Sequence, residues 1–244
     1  MMTWIFFDAV GTLFGVRGSV GGQYARAAQL FGAHADPGLM EHIFHEVFDA
    51  SPPMTTPKRT RVREFERQWW KNLVGEVCRR AGITLDLDPY FDYLFRSFAT
   101  ARCWQLYPDA AATLKLLTRN GCRIGLISNF DSRLSGLLKD LGLQPWIAQV
   151  TISARVGVAK PDPGIFLAAC VQANAKPANA CYVGDSPSHD YYGARKAGMQ
   201  AVLLDRDNLH SNFDGARVRR LSALFEKLSV GERESGGARE RGSG

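Results

Sequence analysis

Apolar residues in this chain follow two rhythms. Short, nearly continuous runs rich in β-branched and aromatic side chains occupy residues 3–7, 123–128, 149–152, 180–184 and 201–204 and read as strands. Several lack the alternation of a strand with one wet face, which points to burial on both sides and a parallel sheet. Between the last four strands lie segments with helical spacing, 132–141, 163–175 and 188–197. Strand and helix alternate, so the expected class is α/β with right-handed crossovers.

The first strand breaks this rhythm, because the next one is more than a hundred residues away. The interval carries helical patterns at 21–31, 37–48, 62–81 and 89–100, and a helix at 110–118 returns to the sheet. A loop holding Pro52, Pro53 and Pro57 separates two of these helices and cannot itself be helical. Residues 15–105 therefore read as an all-helical insertion. The core is expected to comprise 1–14 and 106–230, and the chain to cross between the two parts near Gly15–Gly18 and Arg102–Tyr107. Pro108 is expected in the first turn of the returning helix. Residues 231–244 have no apolar periodicity and read as a disordered tail.

Composition narrows the class. With 45% hydrophobic and 22% charged residues, the 244-residue chain can bury a real core. No apolar run reaches the length of a membrane helix, and nothing at the N-terminus marks it for export. The five cysteines are widely spaced, with no Cys-x-x-Cys pair, so reduced thiols in a cytoplasmic protein are expected rather than a zinc site. The net charge is +6. The segment 58–80 alone has eight basic and three acidic residues, so the charge is local and no nucleic-acid or membrane partner is expected.

Chemistry-bearing residues gather where open α/β sheets hold ligands, at strand C-terminal ends. Asp8-Ala9-Val10-Gly11-Thr12-Leu13 follows the first strand, Ser128-Asn129 the second, and Gly184-Asp185-Ser186-Pro187-Ser188-His189-Asp190 the fourth. Lys160-Pro161 precedes a helix. Three carboxylates, a lysine and two hydroxyls make an inventory for a divalent metal and a phosphoryl group.

This ordered set resembles the four motifs of the haloacid dehalogenase superfamily, and the resemblance spans residues 3–205. Gln68-Trp69-Trp70, Ser128-Asn129-Phe130-Asp131 and Lys160-Pro161-Asp162-Pro163 resemble one branch of its C1-capped subfamily IA. The resemblance implies a Rossmann-like parallel sheet sandwiched by helices, with residues 15–105 as an inserted helical cap. It implies a Mg²⁺-dependent phosphatase acting on a small phosphorylated or otherwise anionic substrate. By position, Asp8 is then the nucleophile, and Asp185 with Asp8 and the Val10 carbonyl holds Mg²⁺. Asp190 serves as a further ligand or supports the set from behind. Ser128, the Asn129 amide and Lys160 bind phosphoryl oxygens, Lys160 also offsets transition-state charge, and Thr12 braces Asp8.

One position departs from the family pattern. Its phosphatases usually carry an acid/base aspartate two residues after the nucleophile; here that residue is Val10. Three readings stay open: a slow or leaving-group-selective phosphatase, with water or a side chain such as His189 substituting; a non-catalytic module binding phosphorylated ligand or partner; and a 2-haloacid dehalogenase. In the insertion, Arg59, Arg63, Arg67 and Lys71 recur every four residues, opposite an apolar face of Val62, Phe65, Trp69 and Leu73. The stripe reads as a solvated face near Glu64 and Glu66 in preference to one drawing anions toward the site. Trp69 is expected in the core and Trp70 near the basic side, within reach of an arginine.

Overall fold

In a computed structural model, residues 4–228 are described. Thr3 and the segment 231–244 lie outside them. Strands β1 (Trp4–Phe7), β4 (Arg123–Ser128), β5 (Gln149–Ile152), β6 (Ala180–Gly184), β7 (Gln200–Leu204) and β8 (Arg217–Val218) form one parallel sheet in the order β5-β4-β1-β6-β7-β8. Strands β2 (Phe14–Val16) and β3 (Trp104–Leu106) form a separate antiparallel pair.

Both faces of the sheet are dry, as the unbroken apolar runs require. Side chains alternate by strand period, so Ile5, Phe7, Cys181 and Val183 meet α5 (Ala110–Arg119) and α6 (Leu134–Asp140). Trp4, Phe6, Ala180 and Tyr182 meet α8 (Pro163–Gln172) and α9 (Tyr192–Lys196) on the other face, while the one-turn α7 (Ser153–Val156) follows β5 directly. Phe6, Phe7, Ile5 and Tyr182 are fully buried, and such side chains each contribute about 1.5–3 kcal/mol through area removed from water. Burial also pushes the thiols of Cys78 and Cys170 up to about 11 and that of Cys181 to about 12, so none is poised as a thiolate.

The helices α1 (Val20–Leu30), α2 (Pro37–Ala50), α3 (Val62–Arg80) and α4 (Leu87–Ser97) enclose an apolar cluster of their own, centred on Met40, Val77, Tyr90 and Phe91. Ser19, Asp36 and Asp86 cap three of them by accepting main-chain N–H bonds. The chain enters and leaves this layer along β2 and β3, where Gly15 pairs with Gln105 and the Arg17 N–H reaches the Cys103 carbonyl at 2.7 Å. Pro108 lies in the turn before α5 rather than inside it, because α5 begins at Ala110.

Two elements differ from their sequence patterns. The segment expected as one helix over 188–197 is a π-helical turn, Pro187–Tyr191, followed by the short α9. Ser186 caps that turn through its hydroxyl, while its own N–H bonds Asp190 Oδ2, so the wide turn serves to aim Asp190 inward. In α3 the buried face is Glu66, Leu73, Val74, Val77 and Cys78. Val62, Phe65 and Trp69 are only half-buried, and Trp69 reaches out to the Pro52 carbonyl at 3.0 Å.

Candidate active site

The chain turns sharply after β1, with the Leu13 and Phe14 N–H groups both folding back onto the Ala9 carbonyl. Gly11 sits at φ +87°, and a Cβ there would come within 2.4 Å of the Asp185 carboxylate. Only glycine satisfies both the turn and that approach. Arg206 supports the turn from outside, pairing with Asp109 and donating to the Thr12 carbonyl at 2.9 Å.

The strand ends bring Asp8, Lys160, Asp185 and Asp190 to one point. Lys160 Nζ lies 2.6 Å from Asp8 Oδ1, 2.6 Å from Asp190 Oδ1 and 2.9 Å from the Tyr182 hydroxyl. Oxygens of Asp8, Asp185 and Asp190 fall within 4.8 Å of one another. Asp8 and Asp190 are buried and Asp185 is half-buried. Burial pushes the Asp8 carboxyl up to about 7; Asp190 and Asp185 add to the rise, and the Lys160 ammonium opposes it. Asp185 is raised too, by burial and then by Asp190. Burial works against the Lys160 charge, but Asp190 and Asp8 outweigh it and hold the lysine above its ordinary value. The set is one cation short of neutralising three carboxylates, and every donor is a hard oxygen, which fits a magnesium-type ion. The Val10 carbonyl accepts no hydrogen bond among the described residues, so it too is available to such an ion.

Three of the expected residues have partners that the sequence does not show. The Thr12 hydroxyl is fully buried and donates to Asp185 Oδ1 at 3.0 Å, so the carboxylate it braces here is Asp185. The Asn129 carboxamide is spent on the lysine's backbone: its Oδ1 accepts the Lys160 N–H at 2.8 Å and its Nδ2 donates to the Lys160 carbonyl at 3.0 Å. Asn129 therefore locks the lysine in place, while Ser128 ends β4, buried beside it. His189 is exposed and its ring meets the Ser186 and Ser188 hydroxyls at 3.3 Å, not Asp8. Val10 packs, half-buried, against the apolar cluster under the sheet.

Sequence reasoning missed Tyr182 and the tie to the helical layer. Tyr182 is the only polar side chain on β6, and a buried phenol needs a partner, which was the available signal. The tie is built by Asp131, Ser132 and Arg133, just past Asn129. Asp131 is fully buried and accepts from Arg133 and, at 2.7 Å, from the Trp70 indole. Ser132 donates through its N–H and hydroxyl to buried Glu66 at 2.9 and 2.8 Å. Arg133 donates to the Phe95 carbonyl and lies 4.0 Å from the Phe95 ring centre and 5.4 Å from that of Trp70. Glu66 is thus an interface residue and not part of a solvated face. Of the basic stripe, Arg67 pairs with Asp92 and Lys71 with Asp88, both on α4, so these two stitch helix to helix. Arg59 and Arg63 are exposed.

Comparison with known proteins agrees with this architecture. Residues 2–198 match the sequence profile of haloacid dehalogenase-like hydrolases. The chain is 33% identical over 206 residues to haloacid dehalogenase-like hydrolase domain-containing protein 3 of Danio rerio, covering 83% of this chain and 85% of that protein. It is 31% identical over 201 residues to a phosphoserine phosphatase of Thermus thermophilus, covering 82% of this chain and 80% of that one. A solved 2-haloacid dehalogenase from Pseudomonas syringae superposes with TM-score 0.66 at 25% identity, over 94% of this chain and 99% of the other.

Proposed function

The chain belongs to the haloacid dehalogenase-like hydrolases, and from that premise we propose that it is a Mg²⁺-dependent phosphatase of small phosphate monoesters, working through an aspartyl-phosphate on Asp8. The observation that carries this reading is the convergence of Asp8, Asp185 and Asp190 within 4.8 Å, with Lys160 bridging two of them. Carbon-centred dehalogenation has no use for three ionisable carboxylates in one small site; phosphoryl transfer beside a divalent cation does.

Asp8, Asp185 and the Val10 carbonyl would hold the ion, with Asp190 assisting. The bound cation would supply charge neutralisation for the carboxylates and the phosphoryl oxygens. Asp8 attacks phosphorus, the P–O bond to the alcohol breaks, and water then cleaves the phospho-aspartate to release phosphate. Lys160 offers an N–H to the phosphoryl oxygens as charge spreads over them. Asn129 keeps the lysine backbone fixed while this happens. Val10 can neither give nor take a proton, so the departing oxygen leaves with water's help and esters with good leaving groups are favoured. General acid–base assistance is worth about 10²–10⁴-fold where it exists.

In this reading the layer α1–α4 acts as a cap, within the expected bounds 15–105, and the protein works in the cytoplasm. Two contacts support it: Trp70 and Glu66 meet the turn after β4, and the Thr56 carbonyl lies close to Gly157 just past β5. No described helix is long and apolar enough to cross a membrane. A second reading, 2-haloacid dehalogenase, draws on Val10 and on the likeness to the solved Pseudomonas enzyme. A screen of phosphate monoesters and 2-chloropropionate, with and without Mg²⁺, separates them. Metal-dependent phosphate release is expected; metal-independent chloride release overturns the proposal. Tight binding of phosphate without turnover leaves a binding module in its place.

A further inference from the structure

The Lys160 ammonium has three N–H donors, and each has one acceptor: Asp8, Asp190 and the Tyr182 hydroxyl. Tyr182 is fully buried on β6, its ring edge-on to Phe166 at 5.0 Å. A phenylalanine would fill the same space. The hydroxyl is explained only by its partners, which include, besides the lysine, the Ile127 carbonyl at 2.9 Å and Asp190 Oδ1 at 3.0 Å. Ile127 immediately precedes Ser128, so one oxygen touches the end of β4, the lysine and the carboxylate on the turn after β6.

Resting on the phosphatase reading, we propose that Tyr182 is a positioning residue that, with Asp190, anchors two N–H groups of Lys160 and leaves a single one for the anion held at Asp8. In the resting site that third N–H meets Asp8. When the Asp8 oxygen bonds to phosphorus, the bond to the alcohol breaks and the carboxylate's charge leaves with the departing oxygen; the phosphoryl group keeps its own charge, and the same N–H turns to a phosphoryl oxygen. The other two stay where they are. Without the phenol, one ammonium proton is left buried and unpartnered, and the lysine can relax away from the substrate.

The experiment compares wild type with Tyr182→Phe, using Phe166→Leu to disturb the ring's seat while keeping the hydroxyl. Beryllofluoride with Mg²⁺ serves as a phosphoryl mimic on Asp8, read by fluorine NMR; calorimetry reads Mg²⁺ alone. In Tyr182→Phe, beryllofluoride affinity and kcat on p-nitrophenyl phosphate are expected to fall about ten- to hundredfold, with KM and Mg²⁺ affinity nearly unchanged. Phe166→Leu should lower Tm and spare beryllofluoride affinity. Independently of turnover, exchange of the ¹⁵N-labelled Lys160 ammonium protons should quicken about tenfold or more in Tyr182→Phe. Unchanged exchange, or unchanged beryllofluoride affinity in a wild type that binds it, overturns the proposal. Faster exchange in a protein that neither binds beryllofluoride nor releases phosphate supports the anchoring role and fails the phosphatase reading alone.

Discussion

Replacing Gly184 by alanine places a methyl group where the Asp190 carboxyl now lies. An ideal Cβ there sits 2.4 Å from Asp190 Cγ and Oδ2, and 2.6 Å from its Cβ. Ordinary contact begins at 3.4 Å, so the carboxyl must retreat by roughly 1 Å in a close-packed interior. It cannot do so freely, being held by Lys160 at 2.6 Å and by the Ser186 N–H at 3.0 Å. Overpacking costs about 1–3 kcal/mol, and weakening a hydrogen bond to a charged group about 1.5–3 kcal/mol. Together the loss is about 2.5–6 kcal/mol, a large part of the roughly 5–15 kcal/mol typical of a domain. Urea unfolding measures it as a lower midpoint at constant slope. Gly136→Ala, in the exposed middle of α6 with nothing within 4 Å of the new Cβ, is the control and should gain about 0.5–1 kcal/mol. If Gly184→Ala stays within about 1 kcal/mol of wild type, Asp190 is not clamped as described and the reasoning fails.

In metal-free protein, Asp8 near 7 lies above its ordinary 3.8, so the folded state holds a proton the unfolded state has lost. Stability is then expected to fall as pH rises from about 4 to about 7 in EDTA, and Mg²⁺ should stabilise more at pH 7.5 than at pH 5.5, both read as Tm. Val10→Asp should raise kcat/KM on alkyl phosphates more than on p-nitrophenyl phosphate, since only the former need a proton on the leaving oxygen; equal rates in a folded, metal-binding variant would show that the missing acid is not limiting. Trp70→Phe removes one donor from buried Asp131 and should cost about 1–3 kcal/mol in denaturant unfolding.

The parallel sheet was readable because strands buried on both faces write continuous apolar runs, and the meeting of Asp8, Lys160, Asp185 and Asp190 because loops at strand ends carry unusual polar residues. Partner choice was not. Thr12 reaches Asp185 across 173 positions and Asn129 reaches Lys160 across 31, and no local pattern records such distances. β2 and β3 are three-residue strands that pair only because residues 20–97 fold between them. Glu66 looked like surface because charge usually marks it; the N–H and hydroxyl of Ser132, from another layer, make its burial tolerable. Tyr182 was hidden inside an otherwise apolar strand.

The seam between the helical layer and the sheet is built unequally. Asp131 and Arg133 complete a forked ion pair wholly on the sheet side. The helices bring to it an indole N–H and a main-chain carbonyl, and offer Glu66 to Ser132. Parting the two layers therefore splits no ion pair: Asp131 and Arg133 stay together, and water replaces the Trp70, Phe95 and Ser132–Glu66 contacts. The exchange costs about 1.5–3 kcal/mol per hydrogen bond to a charged group, against about 3–5 kcal/mol for breaking a buried ion pair. The same turn carries Asn129, which grips Lys160 by its main chain, so the seam and the lysine's anchor hang on one short stretch of chain.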